Sequence, residues 1–184
     1  MIKNQCFQTK TNKFMFIVFL LFSVAIAVLI FCFSSENATA SDSTSGNTIK
    51  FLLQTFYPGY QNLAAIRKKE LVGSFQFIVR KSAHFSIYTA LGFFTCGAML
   101  NLNGIKKRDF FRCHFAVVIC VVYCISDEIH QSFVPGRACQ LRDMLIDTAG
   151  ILSGAVIMFA LYIIVQKTVK MKKRIKTAKT VLKK

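Results

Sequence analysis

Phe14 to Phe33 is a run of twenty residues with no charge and a single hydroxyl, Ser23. Coiled as an α-helix, a run of that length crosses a hydrocarbon layer of about 30 Å, and inside such a layer only a helix or a closed barrel satisfies its own backbone. Three further windows share its character, so the chain reads as four helices at about 14–33, 81–102, 110–133 and 143–165. The second carries only Lys81 and His84 as ionisable groups, the third is polar at its far end, and the fourth is interrupted by Asp147. The expected class is all-α: a polytopic membrane protein with four transmembrane helices. Charged residues make up 17% of the 184 residues, against about 25% in a soluble domain, and the missing charge lies in these windows. Ala38-Thr39-Ala40 resembles a signal-peptidase site, but the apolar run before it is longer than the usual 7–15 residues, so a retained first helix is expected.

Lys3, Lys10 and Lys13 precede the first helix; Lys106, Lys107, Arg108 and Arg112 lie between the second and third; nine more basic residues follow the fourth. Sixteen of the 24 basic residues therefore fall on one side, with Asp109 as the only acid there, and this asymmetry accounts for most of the +16 charge. The positive-inside rule places both termini in the cytoplasm. Residues 1–13 then form a cytoplasmic segment, 14–165 the membrane domain and 166–184 a basic cytoplasmic tail. The basic residues are split among membrane-flanking segments with no aromatic platform between them, which argues against nucleic acid. The run Lys167–Lys184 reads first as a solvated cytoplasmic tail that fixes topology, with contact to anionic lipid head groups as the alternative.

Between the first two helices, Ser34–Thr48 reads as a flexible, hydrated stretch. Ile49, Leu52, Leu53 and Phe56 then recur at helical spacing until Tyr57-Pro58-Gly59, and Leu63–Val79 is weakly amphipathic. Both predict short extracytoplasmic amphipathic helices on the outer leaflet. Asn37-Ala38-Thr39 matches a glycosylation sequon, a pattern common by chance. Seven cysteines at irregular spacing do not make a disulfide framework. Cys120 and Cys124 share a helix face without a histidine at ligand spacing, so neither a metal site nor a cofactor is expected.

The polar residues concentrate at one end of the windows. Lys81, His84 and Tyr88 share a face at the outer end of the second helix, Asp127 and Gln131 are four apart at the end of the third beside Glu128, and Asp143, Asp147, Gly150 and Gly154 make one stripe down the fourth. A charged group at bilayer depth costs roughly 2.5–3.5 kcal/mol, so Asp147 is expected to be partnered or protonated. Arg137 and Arg142 flank the turn Pro135-Gly136. Gly150 and Gly154 form a small-xxx-small pair that favours close helix packing.

These residues resemble the VanZ-like family of integral membrane proteins. The likeness lies in Phe33-Ser34-Ser35-Glu36, where the family typically has F-S-S-Q, and in Lys81-Ser82-Ala83-His84-Phe85 with Tyr88, Leu91 and Gly92. It is longest in Asp127-Glu128-x-x-Gln131-x-Phe133-x-Pro135-Gly136-Arg137, with Asp143, Gly150 and Gly154 beyond. Asp147 stands where the family often has Asn. The family is named for a component of a glycopeptide-resistance cluster that lowers susceptibility to teicoplanin. The resemblance thus implies a bacterial cell-membrane location and a phenotype, not a reaction.

Two roles for the cluster remain open. Asp127, Glu128, Arg137, Arg142 and Asp143 can pin helix ends, with Asp143 also capping the fourth helix. Alternatively, Lys81, His84, Tyr88, Asp127, Glu128, Gln131, Arg137, Arg142, Asp143 and Asp147 line a binding pocket at the outer leaflet, where arginines hold an anionic head group. His130 and His114 rank below His84. No G-x-S-x-G, H-E-x-x-H or P-loop is present, so the reading leans away from an enzyme. The expected function is an envelope protein that lowers susceptibility to teicoplanin-type glycopeptides through the outer polar site. Its expected partners are membrane lipids and, at the site, a lipid-linked cell-wall precursor or the antibiotic itself. The alternative is a membrane enzyme acting on a lipid or lipid-linked precursor by acid–base chemistry, with His84, Asp127 and Glu128 as catalytic candidates. A transporter component is third, because no membrane helix is interrupted by Gly/Pro.

Overall fold

The structure, a computed structural model, describes residues 2–102 and 109–181. Lys106, Lys107 and Arg108, which weigh in the topology argument, lie outside the described residues. Five helices follow one another: α1 (Ile2–Ser34), α2 (Ala38–Phe56), α3 (Ala65–Asn101), α4 (Asp109–Gln131) and α5 (Leu141–Val181), with a short 3-10 turn at Tyr60–Asn62. No strand occurs among the described residues. Four of the helices contain stretches long and apolar enough to cross a membrane: Lys13–Ser34, Ala65–Asn101, Asp109–Gln131 and Leu141–Lys172. Their outward faces carry Leu21, Phe22, Val28, Val122, Val156 and Ile164, all largely exposed. That surface suits a solvent of lipid chains and makes the chain a multi-pass membrane protein.

Helix α3 is the centre of the bundle and packs most extensively on α5, then on α1 and α4. Small residues set the α3–α5 approach. A Cβ at Gly154 would collide with the carbonyl of Thr89, one at Gly92 with the carbonyl of Ile151, and one at Gly150 would lie 2.6 Å from the carbonyl of Phe85. Lipid chains are as apolar as Leu, so contact of this kind, rather than a hydrophobic drive, holds the helices together. Ile30, Tyr88, Leu91, Cys120, Cys124 and Ile151 pack into one core cluster; Cys96, Leu100, Ala116, Ala155 and Met158 form a second. Cys32, Cys96, Cys113, Cys120, Cys124 and Cys139 are free, and Cys96, Cys120 and Cys124 fill these cores as small side chains. Midway along α1, the lone hydroxyl of the first window shares a 2.6 Å hydrogen bond with Thr95 of α3.

Two local expectations change. Ser34–Thr48 is not a flexible strip: helix α2 starts at Ala38, with Asn37 Oδ1 accepting the Ala40 amide and the Thr39 hydroxyl, each at 2.8 Å. The sequon asparagine is thus an N-cap. Weak helix formers are helical here because Ser45, Gly46 and Ile49 are buried, with Gly46 facing Val72 of α3. Leu63–Val79 is not a separate surface helix either. It is the first half of α3, since no proline or cap interrupts the chain between Val79 and Lys81. The chain does reverse at Gly59 and Gly136, with φ of 85° and 77°, conformations that glycine adopts without strain. Pro135 O accepts the Ala38 amide at 3.3 Å, so α2 and the 132–140 turn lie at the same end of the bundle.

The α3–α5 contact predicts that Gly154→Leu forces the two helices apart, at a cost of about 1–3 kcal/mol or more. Ser153→Ala, one residue away, removes only a hydroxyl bonded to the Ala149 carbonyl of its own helix. Membrane abundance and thermal unfolding in detergent should fall for the glycine variant and stay near wild type for the serine variant.

Candidate functional site

At the end of the bundle that carries α2, three helices meet on one carboxylate. Asp127 sits in α4 on the stripe Cys120, Cys124, Asp127, Glu128 and Gln131, which helical spacing turns inward. Its Oδ2 accepts three hydrogen bonds: from Ser34 Oγ at the last turn of α1 (2.8 Å), from Tyr88 Oη on α3 (2.9 Å), and from Gln131 Nε2 one turn on (3.1 Å). Asp127 is 3% exposed, Ser34 1% and Tyr88 0%. Gln131 Nε2 also reaches Ser34 Oγ, and its Oε1 accepts from Arg137 Nη1 at 3.3 Å. Arg137 Nη2 in turn donates to the Phe33 carbonyl at 3.0 Å, closing the end of α1 against the 132–140 turn. A carboxylate with three buried donors is a structural anchor, since each donor left unmade would carry its full desolvation penalty.

A second tier lies between α3, α4 and α5. Lys81 forms an ion pair with Asp143, and His84 Nδ1 lies 3.7 Å from Asp147 Oδ1. Glu128 Oε2 accepts the Gln140 amide at 3.2 Å, just ahead of α5, where a negative charge also complements the helix dipole. Asp147, 1% exposed, has His84 of α3 as its ionisable neighbour. Glu128 Oε1 and both oxygens of Asp147 are buried without a hydrogen-bond partner. Buried polar atoms of that kind are uncommon and mark a place for a proton, a water or a ligand.

Beside the anchor, between the end of α1, α2 and α3, is a cavity of about 270 Å³. Arg80, His84 and Arg137 line it, together with a hydroxyl face of α2 formed by Ser41, Thr44, Ser45 and Thr48. The positions 41, 44, 45 and 48 recur at i, i+3, i+4 and i+7, so one face of α2 supplies them all. Arg80 pairs with Asp42 at 2.5 Å. Arg137 has no carboxylate within ion-pair distance among the described residues; burial and the nearby charge of Arg80 both push its guanidinium down from its ordinary value.

Most of the expected residues thus converge, in two tiers. Tyr88, Asp127, Gln131 and Arg137 share the anchor; Lys81, His84, Glu128, Asp143 and Asp147 make the second tier. Of the three catalytic candidates, only His84 lines the cavity, while Asp127 and Glu128 are buried behind it. Arg142 stands apart, its guanidinium 4.4 Å from the centre of the Phe77 ring. His130 stacks on Phe31 at 4.8 Å and meets Ser35 Oγ at 3.2 Å. Ser34, Arg80 and the α2 hydroxyls were not among the expected site residues. Ser34 was legible as part of the motif after the first helix, whereas the α2 face was hidden by its Ser/Thr composition. Among the described residues no group of three or more His, Cys, Asp or Glu is placed to hold a metal ion.

The two buried aspartates predict opposite responses. Asp127→Leu orphans donors from Ser34, Tyr88 and Gln131, at about 1–3 kcal/mol each, and should collapse membrane abundance; Asp127→Asn keeps an acceptor oxygen and should lose less. Asp147→Asn, at a site with no hydrogen-bonded donor, should leave abundance near wild type. Immunoblots of membranes and unfolding midpoints in detergent would check both, and loss of the Asp147→Asn protein would show that its charge is required.

None of the curated proteins and none of the solved structures compared with the chain matches it. A family profile described as VanZ/LLP1 matches residues 19–165, which runs from mid-α1 through the membrane part of α5 and takes in both tiers of the site. The chain belongs to the VanZ/LLP1 family.

Proposed function

We propose that the chain lowers susceptibility to teicoplanin-type glycopeptide antibiotics by binding at the α2 end of its bundle, with that end on the outer face of the bacterial cell membrane and both termini in the cytoplasm. The orientation is supported by the basic residues that precede α1 and follow the membrane part of α5. The phenotype is supported by membership of the VanZ/LLP1 family, because the VanZ-like resemblance implies lowered susceptibility to teicoplanin. The observation that carries the binding role is the cavity lined by Arg137, Arg80 and His84 next to the Asp127 anchor. An end of a bundle built only to hold helices together has no need of a cavity flanked by a half-buried arginine lacking a carboxylate partner. Bound there, a membrane lipid, a lipid-linked cell-wall precursor or the glycopeptide itself changes how the drug meets its target.

A second reading, a membrane enzyme on a lipid or lipid-linked precursor, has one observation in its favour. His84 faces the cavity with the buried Asp147 carboxylate 3.7 Å from its Nδ1, an arrangement that can orient an imidazole for proton transfer.

Expression in a sensitive Gram-positive host should raise the teicoplanin concentration needed to stop growth, and Arg137→Ala should remove the effect when compared with wild type at matched membrane abundance. Glu128→Gln keeps size and hydrogen bonding but not proton transfer, so full activity in that variant counts against an acid–base role for Glu128. If Arg137→Ala stays active, or no effect on teicoplanin is seen with wild type, the reading fails. The exposed, free thiol of Cys139 should react with an impermeant reagent in intact cells; protection there, with reaction only after lysis, would invert the orientation.

A further inference from the structure

The cavity beside the anchor has two walls of different chemistry. One is apolar: Ile30 of α1 with Val79, Ala83 and Ile87 of α3, a strip that runs down toward the membrane core. The other is cationic and hydroxylic: Arg80, Arg137 and the α2 face with Ser41 and Thr44. Among the described residues, neither Ser41 nor Thr44 spends its hydroxyl on a hydrogen bond within the protein, whereas Ser45 and Thr48 donate to carbonyls of their own helix. Arg137 uses Nη1 and Nη2 on Gln131 and Phe33, while its Nε is buried without a partner. Glu36 also lines the cavity but lies beyond ion-pair distance of Arg137, so the guanidinium is not neutralised at contact. Arg80 is paired with Asp42, but Arg137 is not, and two guanidinium groups close enough to repel with free hydroxyls opposite form a site that an anion stabilises.

Size and setting narrow the anion. At about 270 Å³ the cavity is at the small end of ligand pockets, about 300–1,000 Å³, and holds a head group but not the chains attached to it. Chains would have to leave along the apolar strip into the bilayer. We propose that this cavity binds a phosphate-bearing membrane lipid, its phosphate held by Arg137 and Arg80 with Ser41 and Thr44, and its chains lying along Ile30, Val79, Ala83 and Ile87. The inference rests on the reading of this end as a binding site and adds the chemistry of the ligand. Arginine suits the task because its planar fork offers paired donors to phosphate oxygens.

The test uses the purified, delipidated full chain and native mass spectrometry with three probes: phosphatidylglycerol, diacylglycerol and inorganic phosphate. Wild type should retain phosphatidylglycerol and release diacylglycerol, which lacks the phosphate. Arg80→Gln should weaken phosphatidylglycerol retention about tenfold, the loss expected for a charge-assisted hydrogen bond. Arg80 lies outside the Asp127 anchor, so this variant should unfold at the wild-type temperature; Thr44→Val, smaller in its disturbance, should weaken retention in the same direction. Equal retention of diacylglycerol, or unchanged retention in both variants, overturns the proposal. Inorganic phosphate that displaces the lipid at matched concentration overturns the lipid assignment in favour of a free-anion site. Failure here is separable from failure of the functional reading. No lipid retained by a wild type that still protects cells from teicoplanin overturns this inference alone. Lipid retained through Arg80 and Arg137 without any protection overturns the functional reading alone.

Discussion

One carboxylate oxygen, Asp127 Oδ2, organises the end of the bundle on which everything else sits. It takes hydrogen bonds from α1, α3 and α4 at once, and through Gln131 and Arg137 it holds the turn that leads to α5. In a hydrocarbon solvent such a bond has no water to compete with it, and each donor would be costly to leave empty. The helices are therefore fixed in depth and rotation relative to one another at the place where the polar residues gather. The cavity, the second tier and the fold of α2 against α3 all depend on that fixed geometry.

The same end shows why polar residues persist at bilayer depth. Lys81 with Asp143 and Arg80 with Asp42 are ordinary opposite-charge pairs across elements. Asp127, Glu128, Arg137, Asp143 and Asp147 nevertheless each keep at least one buried polar atom without a hydrogen-bond partner. A chain selected only for helix packing would replace such groups with apolar residues of similar size, which are often neutral or stabilising in a core. Of these, Arg137 lines the cavity while Glu128 and Asp147 lie outside its lining, and the anchor holds α1, α3 and the turn in place around it. The glycine contact between α3 and α5 complements this, bringing His84 of α3 to Asp147 of α5.

Much of the site was legible in the sequence, because helical periodicity is a strong constraint. Asp127 with Gln131, Lys81 with His84 and Tyr88, and Asp143 with Asp147 each share a face by spacing alone. What spacing could not give was the pairing between faces. Lys81 goes to Asp143 and His84 to Asp147, whereas Arg142, adjacent in sequence to the cluster, turns to the ring of Phe77. Composition misled at Ser34–Thr48, where Ser and Thr suggested a hydrated strip. Burial of Ser45, Gly46 and Ile49 and the cap from Asn37 overrode that propensity.

The sequence by itself determined the class: four apolar stretches, each able to satisfy its backbone only as a helix, and a strong charge asymmetry about them. It also determined which residues share a helix face, since the 3.6-residue period is a local property of the backbone. Only the tertiary structure decided which faces meet. That depends on how closely two backbones can approach, as at Gly92, Gly150 and Gly154, and on which donors reach one acceptor across helices more than ninety positions apart, as Ser34 reaches Asp127. It also decided that α2 folds as a helix whose hydroxyl face closes a cavity against α1 and α3, because that face is defined by contacts with distant segments and not by its own sequence.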